Sequence, residues 1–206
     1  MQRIPLFPLN LVVFPGSSYP LHIFEERYKK MINRCIEEKK YFGIVVNLTN
    51  NIAKVGTLSE ITSVTKFYED GRLNIIVKGI QRFIIINTET HEDGYLIAEI
   101  HPYYDTMFEV DNRIIKETYN KFVEVFTKIN LKLDDAYWKN LNSTPIKSFK
   151  FAEKSGLSLE QQQELLTFQD ETKRLSFIKS HLEKMMDYLD ESSKIKNILM
   201  RDGYLN

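Results

Sequence analysis

A chain of 206 residues carrying 28 basic against 28 acidic side chains and one cysteine can bury a substantial core without help from disulfides or metals. The charge is balanced in both halves and no Lys/Arg run is longer than two, which disfavours nucleic-acid binding by counterion release and attraction to a membrane surface. Cys35 as the single thiol excludes an internal disulfide or a multi-thiolate metal cage within one chain.

In chain order, the first informative stretch is residues 4–28. Its four prolines (Pro5, Pro8, Pro15, Pro20) forbid a helix, while the apolar residues between them demand burial as short extended pieces around sharp corners. The period then changes: Phe24, Tyr28, Met31, Ile32, Cys35 and Ile36 share one face of an expected helix. Between Tyr41 and Tyr104 the apolar residues come in bursts rich in Val, Ile, Phe and Tyr, the pattern of strands. Tyr41 to Leu48 reads as one strand. After Asn50-Asn51, Ala53 to Tyr68 reads as another, with Val55, Thr57, Ser59, Ile61, Ser63 and Thr65 alternating at a period of two and Gly56 as a candidate bulge. Asp70-Gly71 is a hairpin signal, the partner strand runs from Leu73 towards Asn87 with a bend at Gly79, and Glu92-Asp93-Gly94 turns the chain into a last strand over Tyr95 to Tyr103.

Beyond Asp105 the periodicity is helical. Val110, Ile114, Ile115, Phe122, Val123, Phe126 and Ile129 mark a helix that Asp111 can cap, and residues 130–144 look like a connection or a short, poorly formed helix. Pro145 opens a helix that Gly156 stops, Ser158 with Gln161 forms a capping-box pattern, and Asp170 caps a final helix through Leu175, Ile178, Leu182, Met185, Met186 and Leu189, extended by Ile195, Ile198 and Leu199. The expected architecture is α+β: a strand-rich pseudo-barrel with one helix over residues 1–105, then a helical bundle over 106–206.

The ordered set of Pro5-Leu6-Phe7-Pro8-Leu9, Val13-Phe14-Pro15-Gly16, Leu21-His22-Ile23-Phe24-Glu25-Glu26-Arg27-Tyr28, Val55-Gly56-Thr57-Leu58-Ser59-Glu60-Ile61, Asp70-Gly71-Arg72 and Gly79-Ile80-Gln81-Arg82-Phe83 resembles the Lon protease N-terminal substrate-binding domain family. The likeness continues more weakly at Leu159 to Leu166 and Arg174-Leu175. It implies a stand-alone recognition module for apolar segments of proteins or peptides, working without a cofactor and delivering clients to a separate protease or chaperone. The Gly-rich phosphate loop of an ATP-driven motor has no match here, because Lys78-Gly79 carries the residues in the wrong order inside an expected strand.

Other chemistry is thin. His22, His91, His101 and His181 are scattered without metal-ligand spacing, so no metal is expected. Cys35 facing a core lacks the setting that makes a thiolate, against a notional Cys35–His22 nucleophile and base. Glu25 and Arg27 read as structural, the arginine tying helix to barrel, and Arg82 as a partner within the sheet. The remaining signal is aromatic, with 13 Phe and 11 Tyr. The candidate binding residues are Phe14, Tyr19 and Leu21 in the opening loop, Phe67 and Tyr68 beside the hairpin, and Tyr103, Tyr104, Met107 and Phe108 at the junction. A homodimer is left open, and no membrane span of about 18 apolar residues is present, giving a cytoplasmic expectation. Rival readings are a hydrolase or transferase using Tyr104, His101 and His22, a small-molecule sensor, or an oligomeric adaptor.

Overall fold

The proline-broken opening folds as extended chain, and two of its prolines lie within the first strand. A computed structural model describes residues 2–49, 51–106 and 109–201, with side chains as far as Ser192. Strands β1 (Gln2–Leu9) and β2 (Ser18–Ile23) precede helix α1 (Glu26–Glu37), and β3 (Phe42–Val46), β4 (Val55–Phe67), β5 (Leu73–Thr90) and β6 (Leu96–Pro102) follow. The sheet runs β2-β5-β4-β3-β1-β6. Because β6 also pairs with β5, the five strands β5, β4, β3, β1 and β6 close a ring, and β2 is added outside it on the first half of β5. Closure removes most of the free strand edges that an open sheet would present.

Two buried clusters fill this unit. Ile4, Leu6, Val45, Leu58, Phe83, Ala98 and Ile100 form one. The other joins Tyr28, Met31, Ile32 and Cys35 of α1 to Ile23, Leu73, Ile75 and Val77 of the β2–β5 pair. The amphipathic period of α1 thus docks it on one sheet face, as its spacing predicts. Phe24 departs from that expectation: α1 begins at Glu26, and Phe24 stands before it with 61% of its surface exposed. Arg27 does tie α1 to the barrel, with Nε 3.1 Å from Glu25 and Nη1 3.5 Å from the Gly94 carbonyl.

Two glycines set the geometry of β5. Gly71, at φ +79°, makes the β4–β5 turn that Asp70-Gly71 announces. Gly79 bends β5 where the opening loop crosses it: Gly16 N–H donates to the Gly79 carbonyl at 2.8 Å, and Gly79 N–H to Ser17 O at 2.9 Å. A Cβ there would collide with the Phe14 carbonyl and lie 2.9 Å from Val13 Cγ1. Gly56 is not a bulge; it is a close approach, since a Cβ would come 2.6 Å from Ile44 O.

The chain divides into two compact units, Met1–Thr106 with Ser158–Gln169, and Met107–Leu157 with Asp170–Asn206. Segment 158–169, expected in the helical half, therefore belongs with the barrel. It carries α5 (Leu159–Thr167), which starts on the expected Ser158–Gln161 capping box. Arg82 Nη1 donates to Leu166 O at 2.8 Å and Phe168 O at 2.7 Å, capping the last carbonyls of α5, while its Nη2 pairs with Asp105. Tyr103 Oη adds a bond to Thr167 O at 2.9 Å. Arg82 thus serves this helix, where the sequence suggested a partner inside the sheet.

The second unit contains α2 (Asn112–Lys128), α3 (Asp135–Ser143), α4 (Lys147–Ala152) and α6 (Glu171–Arg201). Asp111 caps α2 as expected. Residues 135–143 make a regular helix because the Asp134 carboxylate accepts from Tyr137 N at 2.6 Å, and Tyr137 and Leu141 are buried. The side chains of Ile195, Ile198 and Leu199 lie outside the described residues. Gly79→Ala is expected to cost about 2–3 kcal/mol in urea-unfolding stability, because a backbone carbonyl has no rotamer by which to yield; a loss below about 0.5 kcal/mol would contradict the close approach.

Candidate functional site

On the β2–β5–β4 triplet, cross-strand neighbours share a face, so the register alone sorts the side chains. The rows Tyr19–Val77–Ile61, Leu21–Ile75–Val64 and Ile23–Leu73–Phe67 point to the α1 side. The rows Ser18–Lys78–Glu60, Pro20–Ile76–Ser63 and His22–Asn74–Lys66 point the other way. Two one-residue irregularities make this possible, between Ile61 and Ser63 and between Val64 and Lys66. Thr62 Oγ1 donates to Ile76 O at 3.1 Å and Thr65 Oγ1 to Asn74 O at 3.2 Å. The effect is to convert the period of two expected across β4 into a period of three, aligning Ile61, Val64 and Phe67.

The outer face ends in an aromatic cluster. His22 Nδ1 lies 2.6 Å from Asn74 Oδ1, and Asn74 Nδ2 donates to Tyr68 Oη at 3.4 Å. The His22 ring stacks near Phe24 at 5.9 Å between centroids and meets Tyr68 edge-on at 5.8 Å. Lys66 Nζ sits 4.6 Å and Arg72 Cζ 5.0 Å from the Tyr68 ring centre. Arg72 is anchored by Asp70 at 2.6 Å, and Lys29 Nζ donates to Asp70 O at 2.9 Å. Phe24, 61% exposed and just past β2, flanks the cluster, whereas Phe67, 62% exposed at the end of β4, belongs to a row on the α1 side. Isolated exposed aromatics are ordinary; several held together by hydrogen bonds and cations form a surface that can receive other apolar groups.

The sequence candidates divide accordingly. Tyr68 falls in this cluster, while Phe67 beside it is exposed in a row on the α1 side. His22 and Phe24 were missed as binding residues, although Ser18, Pro20 and His22 alternate with the apolar Tyr19, Leu21 and Ile23 and so mark an outer face. Tyr19 and Leu21 are half-buried on the α1 side. Phe14 is corrected outright: it is 1% exposed, locked in place where the opening loop crosses Gly79. Tyr103 is engaged with α5 and stacked under Arg82 at 5.2 Å. Tyr104 is exposed, its carbonyl accepting from Gln169 Nε2 at 2.6 Å. Met107 and Phe108 lie outside the described residues.

The alternative chemistry finds no assembled site among the described residues. His22 is bonded to Asn74, while His101 stands on β6 opposite Ile84. His91, Glu92 and Asp93 bring ligand atoms within 4.8 Å of one another. Lys30 and Arg34, however, sit 2.8 and 2.9 Å from the Asp93 carboxylate and hold its pKa down, the Lys30 hydrogen bond most strongly. Two cations already neutralise that turn. Burial pushes the Cys35 thiol up from 9.0 to about 11.

The fold is that of a mixed α+β domain built on a small closed barrel with an appended strand. Residues 3–184 match the family model described as the ATP-dependent protease La (LON) substrate-binding domain, and the chain belongs to that family. It is 26% identical over 230 residues to a Lon protease of Buchnera aphidicola subsp. Schizaphis graminum, covering 99% of this chain and 29% of that protein. To the Lon protease of Escherichia coli it is 24% identical over 223 residues, covering 99% and 28%. The chain therefore spans less than a third of the length of these relatives. The crystal structure of a Lon N-terminal domain protein from Xanthomonas campestris superposes with a TM-score of 0.66 at 25% identity, covering 85% of this chain and 96% of that one. The N-terminal domain of Mycobacterium avium complex Lon protease gives a TM-score of 0.67 at 17% identity, covering 88% and 98%, a likeness of fold. No helix among the described residues is long and apolar enough to cross a membrane.

The raised Cys35 pKa gives a prediction with a defined sign. The folded thiol stays protonated where the unfolded one ionises, so its contribution to stability is complete below pH 9.0 and is lost as pH rises towards about 11. A disulfide reagent at about pH 8 should label Cys35 slowly in the native protein and quickly in urea. Fast native labelling would contradict this burial.

Proposed function

We propose that this chain binds exposed apolar and aromatic segments of other proteins on the outer face formed by His22, Phe24 and Tyr68, and holds them without cleaving them. The observation that carries this reading is the aromatic cluster itself, in which Phe24 remains 61% exposed although the hydrogen-bonded His22–Asn74–Tyr68 chain fixes its neighbours. Membership of a family described as substrate-binding supports it. Delivery of clients to a separate protease or chaperone follows from the same reading.

The physical basis is partial desolvation of one or two client side chains. Burying each contributes roughly 1.5–3 kcal/mol before ordering costs are subtracted, so affinities in the micromolar range are expected. Lys66 and Arg72 lie over the Tyr68 ring, so a client carboxylate near an aromatic residue would gain a cation partner as well. Rings fixed in place lose little entropy on binding, and an open, shallow surface tolerates varied sequences.

The test is fluorescence anisotropy with a labelled, permanently unfolded apolar peptide. Phe24→Ala and Tyr68→Ala are each expected to weaken binding about five- to twenty-fold. Tyr104→Ala, at an exposed tyrosine beside α5, is expected to leave binding unchanged. Undiminished binding by both of the first two variants, with melting temperatures near wild type, would remove this face from the proposal.

A further inference from the structure

Beyond Ser59, β4 has β5 as its strand neighbour on one side, while β3 stops pairing with it at Phe42↔Ser59. Among the described residues, the other edge of Glu60 to Phe67 carries no strand. The hydroxyls of Thr62 and Thr65 turn back onto β5 carbonyls, so neither caps that open edge. Beside it runs a trough of about 530 Å³ between β4 and the C-terminal end of α1, lined by Ile36, Lys39, Tyr41, Ile61 and Val64 among others. Val64 is 41% and Tyr41 42% exposed.

The rungs of this edge can be counted on β5: Glu60, Ile61, Ser63, Val64, Lys66 and Phe67 stand opposite Lys78, Val77, Ile76, Ile75, Asn74 and Leu73. A two-fold axis through the Ser63 rung has a simple consequence. Ile61 of one copy then faces Val64 of the other on the α1 side, and Glu60 faces Lys66 on the outer side. Over the five rungs from Glu60 to Lys66, Ser63 meets its own copy while the other two pairings occur twice by symmetry, with apolar against apolar on one face and acid against base on the other.

We propose that the occupant of the β4 edge is a second copy of this chain, added antiparallel about Ser63 to form an isologous dimer. Charge complementarity favours a copy over an unrelated extended peptide, since Glu60 and Lys66 are spaced to satisfy each other only across such an axis. The contact is short, at or below about 1,200 Å² of buried surface, so association in the range of about 10–100 µM is expected.

Sedimentation velocity over roughly 1–300 µM tests this. Wild type should move from 24.3 kDa towards twice that mass. Glu60→Lys and Lys66→Glu should each associate at least tenfold more weakly, because both symmetry-related pairs become repulsive. Mixing the two variants should restore association, since each then offers the charge the other lacks. Val64→Asp should abolish it while leaving the circular dichroism spectrum unchanged. A wild type that stays monomeric throughout, or a mixture no stronger than its parts, would overturn the proposal, as would a dimer indifferent to Val64→Asp.

Discussion

The bend of β5 at Gly79 is the constraint on which the barrel unit depends. An unbroken 18-residue strand could not keep one set of neighbours along its whole length. With the bend, its first half pairs with β2 and the outer part of β4, and its second half with β6 and the start of β4. The opening loop holds the hinge from outside through two backbone hydrogen bonds, and only a residue without Cβ lets the Phe14 carbonyl come so close. The proline-rich opening and Gly79, far apart in sequence, are therefore one structural device.

From that bend follow the two faces of the β2–β5–β4 triplet. On one side α1 supplies the cover, burying Leu73, Ile75 and Val77 completely. That cover runs out towards β4, where Val64 and Phe67 remain exposed in the same rows. On the other side nothing apolar is needed to close the core, and the face is free to carry histidine, lysine and aromatic rings. The proposed self-association edge thus arises where the triplet outreaches the helix that packs on it, and the proposed client surface on the face that helix leaves uncovered.

Much of this was legible in the sequence because it rests on local chemistry. The Asp70-Gly71 turn, the Ser158–Gln161 capping box and the amphipathic period of α1 each reflect a short-range physical preference, and each is found in place. What was not legible depends on partners distant in the chain. Phe24 fits the helical period with Tyr28, yet only the register of β2 reveals that it precedes the helix. The bulges at Thr62 and Thr65 look like ordinary alternation until β5 carbonyls are set beside them. Arg82 could not be assigned to α5 from spacing, since its acceptors lie more than eighty residues away. Phe14 looked like loop surface because the crossing that buries it is a tertiary event.

The most direct test of the account is a nitrogen–proton correlation titration of the full chain with an unfolded apolar peptide. Shifts concentrated on the backbone amides of His22, Phe24, Lys66, Tyr68 and Asn74, saturating together, are the predicted result. Shifts confined to the helices of the second unit, or to the surroundings of Tyr104 and α5, would contradict the placement of client recognition on the outer face of the bent sheet.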